Sequence, residues 1–379
     1  MSLAGQLTIK VVLGAGIVNR VTIGSSRLLG VSRVLQGKGV DEALHLLPKL
    51  LVLCGKAQLL AGMQAVAAVQ GQPLMAREGL LRQVAMESLK EHLWRILLSW
   101  PGYVGQTPQP QEVRCVALAQ QALNEATEDG LELPPAGWLA LGTLLSDYLL
   151  GEPVSDWLQR QQPAELARWA HAKQGLAAAM VDHLMYHNLA HAGENEVEAL
   201  PPLPLLELAT LMEDAGFLAR PQWQGRCYES SSLTRTCSPL LSALKPLHGN
   251  GLLRRTVARL TELCRLFEAL RQGDDGALLA ALQPFSAAQD GMGVGAVEAA
   301  RGRLLHRVSL EGQQISHYAI LAPTEWNFHP QGVVAQGLAG LQGDRQAVLL
   351  QAHHVIESID PCVGYALTVV EADEEELDG

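Results

Sequence analysis

The chain opens with two β-branched runs on either side of a Gly-rich turn. In QLTIKVVLGAGIVNRVTI, Gln6 to Ile23, that pattern predicts a β-hairpin. From Asp41 to Val69 the pattern changes to Ala, Leu and Gln, which favour helix, with small residues that let helices approach closely. Pro48 interrupts this stretch, so a first helix is expected to end there and Cys54 to fall near the start of a second. Further helices are predicted over Glu78 to Trp100, stopped by Pro101 and Gly102, then over Gln111 to Thr127, Ala136 to Leu150 and Ala164 to His191. The proline-rich GENEVEALPPLPLLE, Gly193 to Glu207, reads as a linker between a helical half and a mixed half. A long helix follows over Gly251 to Gly273. Arg303 to Leu321 then reads as strand, Glu-Gly turn, strand. The end, EADEEELDG, is expected to be a solvated acidic tail without order. No internal repeat and no heptad pattern is visible, and the architecture predicted is α+β, predominantly α.

Composition narrows the function classes. Of 379 residues, 48% are hydrophobic and only 18% charged, which suits a large core and argues against extended disorder. The formal charge of -11 argues against nucleic acid or anionic membrane as a general partner. MSLAGQLTIK lacks a basic region followed by an apolar stretch and a small-residue cleavage site, and no uninterrupted apolar run reaches the roughly 18 residues of a spanning helix. The expectation is a cytoplasmic protein with no membrane insertion. Cys54, Cys115, Cys227, Cys237, Cys264 and Cys362 show no paired spacing, which fits reduced thiols.

Catalytic motifs are missing. There is no P-loop, no nucleophile elbow, no CxxC and no paired acidic metal motif, and Gly14 and Gly16 lack the rest of a dinucleotide fingerprint. Two thiols still stand in suggestive settings. Cys54 lies in LVLCGKAQLLAG and Cys362 in IDPCVGYALT, each without a second thiolate nearby. A free cysteine is by default a small buried hydrophobe. Lys56 either favours the Cys54 thiolate or points to solvent. His183, His187 and His191 are spaced i, i+4, i+8 on a predicted helix; two such histidines can share a metal, but packing or a polar interface is the plainer reading, as it is for His92. Trp326, in TEWN, is expected to be packed with its N–H satisfied.

Five segments, in order, resemble those of nickel–iron hydrogenase large subunits. GVGAVEAARGRLLHRVSL is similar to their G-x-E-A-P-R-G-x-L-x-H, and APTEWNFHPQG to their P-T-T-W-N-x-S-P-R. RPQWQGRCYESSSLTR is similar to P-x-x-x-G-x-P-x-E-x-G-x-L-A-R. LCGKAQ is similar to the N-terminal C-G-x-C-x-x-x-H, and IDPCVGYALT to the C-terminal D-P-C-x-x-C-x-x-H. The resemblance runs from near residue 5 to residue 368. It implies one domain over 1–368 with a helical bundle core and peripheral antiparallel β-hairpins: an N-terminal β region (1–40), helical regions (41–192 and 207–300), a C-terminal β and cofactor-site region (301–368), and an acidic tail (369–379).

The departures carry the functional expectation. In the family four cysteines hold nickel, and two of them bridge to an iron carrying cyanide and carbon monoxide. Cys54 and Cys362 match the terminal nickel ligands, but Ala57 and Tyr365 occupy the bridging positions, and Ala61 and Thr368 replace the following histidines. The R-x-E-G-H signature is missing, with LAGQL in its place. Arg301 and Asp360 survive, and in the family these contact the inorganic ligands. The same pattern is similar to accessory proteins of the HupK or HoxV type, hydrogenase expression/formation proteins. That resemblance implies a non-catalytic scaffold or chaperone whose cargo is the iron–dicyano–carbonyl unit, with Cys54 and Cys362 as metal ligands and Arg301 and Asp360 as cofactor contacts. Its expected partners are hydrogenase maturation proteins and the immature large subunit. The alternative is a metal-free interaction protein that stabilises the immature large subunit. A residual hydrogenase is disfavoured by the lost bridging thiolates.

Overall fold

The computed structural model describes residues 5–27, 29–72, 78–107, 110–128, 133–172 and 174–373. In chain order the elements are β1 (Gln6–Gly14), β2 (Ile17–Ser25), α1 (Val40–Leu50), α2 (Gly55–Val69), α3 (Glu78–Tyr103), α4 (Pro110–Glu128), α5 (Pro135–Thr143), α6 (Val154–Gln159), α7 (Pro163–Ala172) and α8 (Leu176–Tyr186). There follow β3 (Glu198–Ala199), α9 (Leu205–Leu211), α10 (Ala215–Ala219), β4 (Tyr228–Glu229), α11 (Ser232–Arg235), α12 (Pro239–His248), α13 (Leu252–Gln272) and α14 (Asp275–Leu282). The last part holds β5 (Phe285–Gln289), β6 (Met292–Ala299), β7 (Gly302–Glu311), β8 (Gln314–Leu321), α15 (Pro323–Asn327), α16 (Val333–Ala339), α17 (Arg345–Ile359) and β9 (Gly364–Glu371). The chain divides into two compact units, residues 1–76, 192–234 and 282–379, and residues 77–191 and 235–281.

In the first unit, β5, β6, β7 and β8 form an antiparallel sheet in sequence order. One face carries Val294, Ala296, Leu305, Ala319 and Leu321 into a cluster with Leu208, Tyr228 and Trp326. The other places Val308 and Tyr318 against Leu47, Ala65 and Val66 of α1 and α2. The period-2 pattern of a strand thus appears twice over, because both faces are buried. Helix α2 lies directly on β6. A Cβ at Gly293 would fall 2.1 Å from the Ala65 carbonyl oxygen, and one at Gly295 2.2 Å from that of Ala61. The glycines leave that side of β6 flat, and the alanines of α2 complete the close approach. The segment Val52–Val69 has a mean hydropathy of 1.4, enough by length and composition for a spanning helix, and half of it is buried.

The N-terminal hairpin is as expected, closed by Ala15 and Gly16 at positive φ. It gains a partner that the local pattern did not disclose: β9 pairs with β1 in parallel, from Gln6↔Gly364 to Leu13↔Glu371. This brings the two ends of the described chain into one three-stranded sheet, β2-β1-β9.

The second unit is helical, built around α13, which is packed by α3, α6, α8 and α12. Two expectations are corrected here. Pro101 does not stop α3, which runs on to Tyr103. The proline sits in the last turn, where the N–H it lacks costs one bond, and Val104 and Gln106 continue the turns onto Trp100 and Pro101. The stretch Ala164 to His191 is not one helix. It breaks between α7 and α8, where a Cβ at Gly175 would lie 2.5 Å from the Leu149 carbonyl oxygen, and it ends at Tyr186. Of the expected acidic tail, Glu371 belongs to β9 and residues 374–379 lie outside the described residues, as do Leu3 and Ala4 of LAGQL.

Candidate functional site

Cys54 ends a 3₁₀ turn, Val52–Cys54, and is the residue before α2. Gly55 lets the helix start against Pro48, since a Cβ there would lie 3.0 Å from the proline Cβ. One turn further, the Gln58 amide donates to the Cys54 sulfur, Nε2 to Sγ 3.2 Å. Helix α17 ends at Asp360, which takes φ 64° and ψ 83°, the left-handed conformation that terminates a helix. Pro361 and Cys362 follow. The backbone N–H of Cys362 donates to Thr324 Oγ1 at 3.4 Å, and the same hydroxyl is 3.0 Å from the Cys362 sulfur. Both thiols are thus hydrogen-bonded to a protein side chain.

Arg301 sits in the β6–β7 turn. Gly302 beside it has φ 132°, and a Cβ there would meet the Ser230 carbonyl oxygen at 2.3 Å, so the turn requires glycine. Arg301 Nε lies 3.3 Å from Asp360 Oδ2, with both side chains nearly buried. These two sequence candidates meet as a buried ion pair.

A second arginine organises the thiols. Arg27 Nη1 is 2.5 Å from Glu325 Oε1. Burial opposes the charge on Arg27, but Glu325 first, then Cys362 and Cys54, outweigh it and raise its pKa. Both sulfurs therefore act on the charge of one guanidinium, which is paired with a residue near the opposite end of the chain. Burial pushes the Glu325 carboxyl up despite Arg27, and its Oε2 has no hydrogen-bond partner among the described residues. Behind Cys54, a chain of buried groups continues from Gln58: its Oε1 is 2.7 Å from His306 Nε2, and His306 Nδ1 is 2.7 Å from the Tyr318 hydroxyl.

The positions where the resembling family places bridging cysteines are put to other uses. Ala57 is fully buried in α2. The Tyr365 hydroxyl is 2.8 Å from His353 Nδ1 and donates to Glu357 Oε1 at 3.3 Å, tying β9 to α17. Thr368 is exposed. Among the described residues no group of three or more His, Cys, Asp or Glu side chains is arranged to hold a metal ion. The histidine triplet is not one helical face: His183 and His187 stack at 4.5 Å between ring centroids, whereas His191 lies beyond the helix end and stacks on His248 at 4.7 Å. His92 Nε2 is 3.2 Å from Glu262 Oε2 inside the second unit, a packing role. Lys56 is half-buried. The indole N–H of Trp326 finds no acceptor among the described residues, contrary to expectation; the ring is held edge-on by Phe217 and Tyr228. The other cysteines are dispersed. Cys227 Sγ lies 3.1 Å from His329 Nδ1, Cys264 is buried in α13, Cys115 is half-buried and Cys237 exposed.

Sequence reasoning missed Arg27, Gln58 and Glu325. Gln58 was readable as the i+4 neighbour of Cys54, and Glu325 as the residue in place of the second threonine of P-T-T-W-N. Nothing local marked Arg27, whose role depends on partners nearly three hundred residues away.

This arrangement defines the class first. The sequence profile of the nickel-dependent hydrogenase family matches residues 252–367. The nickel–iron–selenium hydrogenase of Desulfovibrio vulgaris Hildenborough has the same fold, with a TM-score of 0.63 at 17% identity over 93% of this chain and 94% of that one. The chain is 33% identical to the hydrogenase expression/formation protein HoxV of Cupriavidus necator, over 90% of each chain. It is 30% identical to HupK of Rhizobium leguminosarum bv. viciae, over 97% of this chain and 98% of that one. Within the hydrogenase large-subunit fold, this chain belongs to the family of hydrogenase expression/formation proteins.

Proposed function

We propose that this protein is a non-catalytic cytoplasmic scaffold in hydrogenase formation, and that Cys54 and Cys362 carry an iron–dicyano–carbonyl unit for delivery to the immature large subunit. The observation that carries the reading is a pair of hydrogen-bonded thiols that both act on the charge of the buried Arg27, while Ala57 and Tyr365 stand where the resembling family has two further ligands. Two soft sulfurs suit an iron that brings three diatomic ligands of its own and are too few to hold nickel beside it. Arg301 supplies N–H donors to a cyanide nitrogen, and Asp360 holds that guanidinium in place. The client, with four thiolates, takes the iron from a site that has two.

The test is anaerobic purification from a host that matures hydrogenase, with infrared spectroscopy and iron analysis. Wild type is expected to carry iron with cyanide and carbon monoxide bands. Cys54→Ala/Cys362→Ala is expected to lose both, and Cys115→Ala to keep them. Equal iron and bands in the double variant, with undiminished maturation, removes the site.

A second reading has its own support. Val52 and Leu53, immediately before Cys54, are 75% and 47% exposed, an apolar lip suited to a protein client. In that reading the protein binds no metal and the cysteines meet the immature large subunit. It gains if wild type carries no iron and only wild type supports maturation.

A further inference from the structure

The polar chain behind Cys54 is unusual for where it runs. Gln58, His306 and Tyr318 come from α2, β7 and β8, and all three are at most 3% exposed. They sit where α2 crosses the sheet, a region otherwise built from alanine, glycine and aliphatic side chains. Burying three polar groups there is unfavourable unless every one is bonded. All three are bonded. The Gln58 amide nitrogen faces the Cys54 sulfur, which leaves its Oε1 to accept from His306 Nε2. A neutral imidazole that donates at Nε2 accepts at Nδ1, so the Tyr318 hydroxyl donates there. Burial pushes His306 down to about 3, so the ring stays neutral and the direction of the chain holds at ordinary pH. The backbone makes room for this: a Cβ at Gly62 would lie 2.7 Å from the Tyr318 hydroxyl.

We infer that Gln58 is a positioning residue that sets the donor strength of the Cys54 sulfur, and that His306 and Tyr318 fix its amide for that purpose. An N–H···S bond withdraws electron density from a thiolate and stabilises its negative charge. Resting on the carrier reading, this gives Cys54 a weaker hold on iron than a bare thiolate has, which favours release to a client. It also has a consequence with no cargo bound: the reactivity of the Cys54 sulfur depends on the Gln58 amide.

Gln58→Met fills the same volume without the amide. In the apo protein, iodoacetamide labelling followed by peptide mass spectrometry reads each cysteine separately. Gln58→Met is expected to slow labelling of Cys54 at neutral pH by about threefold and to leave Cys362 unchanged. Thr324→Val, which removes the hydroxyl beside the other sulfur, is expected to leave Cys54 unchanged. Tyr318→Phe, which frees the imidazole tautomer, is expected to slow Cys54 less than Gln58→Met does. A general loosening of the fold instead speeds both cysteines and counts against the inference, as does an unchanged ratio. In cargo-loaded protein, Gln58→Met is expected to move the carbon monoxide band to lower wavenumber, because a stronger sulfur donor enriches the iron; an unmoved band overturns the inference while leaving the carrier reading intact. If wild type carries no such bands, the carrier reading fails and the labelling ratio alone decides whether Gln58 governs the sulfur.

Discussion

Replacing Arg27 with methionine isolates the electrostatics that hold the site together. The methionine keeps most of the stem and removes the guanidinium. Glu325 then loses the partner of its Oε1 at 2.5 Å, while its Oε2 already lacks a hydrogen bond among the described residues. The Arg27 and Glu325 side chains are only 18% and 7% exposed, so the pair is poorly screened. Removing one member of such a pair typically costs about 3–5 kcal/mol. The residual exposure of Arg27 argues for the lower end, about 3 kcal/mol. The pH dependence follows from the raised pKa of Glu325, which burial drives. A carboxyl whose folded pKa lies above its unfolded value favours folding most when protonated, and that contribution is lost as pH rises through the folded pKa. Without Arg27 the folded pKa rises further, so the deficit of Arg27→Met is largest at neutral pH and shrinks as the solution is acidified. Urea unfolding at neutral and mildly acidic pH measures this, with tryptophan fluorescence as the signal and Trp326, next to Glu325 and fully buried, as the reporter of the site. Arg27→Met/Glu325→Gln is expected to recover much of the loss, since the neutral amide needs no counter-charge. A single variant within about 0.5 kcal/mol of wild type, or a deficit independent of pH, refutes the reasoning.

Other expectations follow from the same geometry. Gly295→Ala places a methyl 2.2 Å from the Ala61 carbonyl oxygen and must lift α2 from β6, costing about 1–3 kcal/mol in thermal or urea unfolding. In the second unit, burial opposes the charge on Glu262, but Arg235 and His92 hold its carboxyl well below the ordinary range. Glu262→Gln should cost about 3 kcal/mol at neutral pH, and the gap should close as pH falls below the ordinary carboxylate range, where wild type loses the same contribution. Ala57→Cys/Tyr365→Cys is expected to give no hydrogen oxidation or evolution in gas-uptake assays, because two restored thiolates do not restore the R-x-E-G-H segment.

What could be read from the sequence was what local pattern encodes. The hairpin at Gln6 to Ile23, the helix over Gly251 to Gly273 and the β7–β8 hairpin are runs whose period and turn residues agree. The errors at Pro101 and at Ala164 to His191 share a cause. Punctuation by proline or glycine was judged without knowing the neighbours, such as the Leu149 carbonyl that packs against Gly175 just before α8. The parallel pairing of β1 with β9 lies beyond local pattern altogether, since its two strands are separated by almost the whole chain. The site divides in the same way. Cys54, Cys362, Arg301 and Asp360 stood out as candidates because motifs mark them, and of these Arg301 and Asp360 meet as an ion pair. Arg27 and Glu325 did not, because an ion pair between a loop and a one-turn helix almost three hundred residues apart leaves no periodic trace in either.

Two backbone devices set where the thiols stand, and neither involves a ligand. Helix α2 is held down by the glycines of β6, which fixes the helix start that carries Cys54. Strand β9 is held by β1 and begins two residues after Cys362, which fixes the other thiol. A side chain at position 57 or 365 can therefore change without moving either sulfur, provided that the new residue satisfies the packing around it. Ala57 does so by being small beneath α2, and Tyr365 by spanning to His353 and Glu357 on α17. On the proposed carrier function, a frame that offers two thiolates rather than four suits a transient holder of iron, and the hydrogen bond from Gln58 to Cys54 lowers that sulfur's donor strength in the same direction.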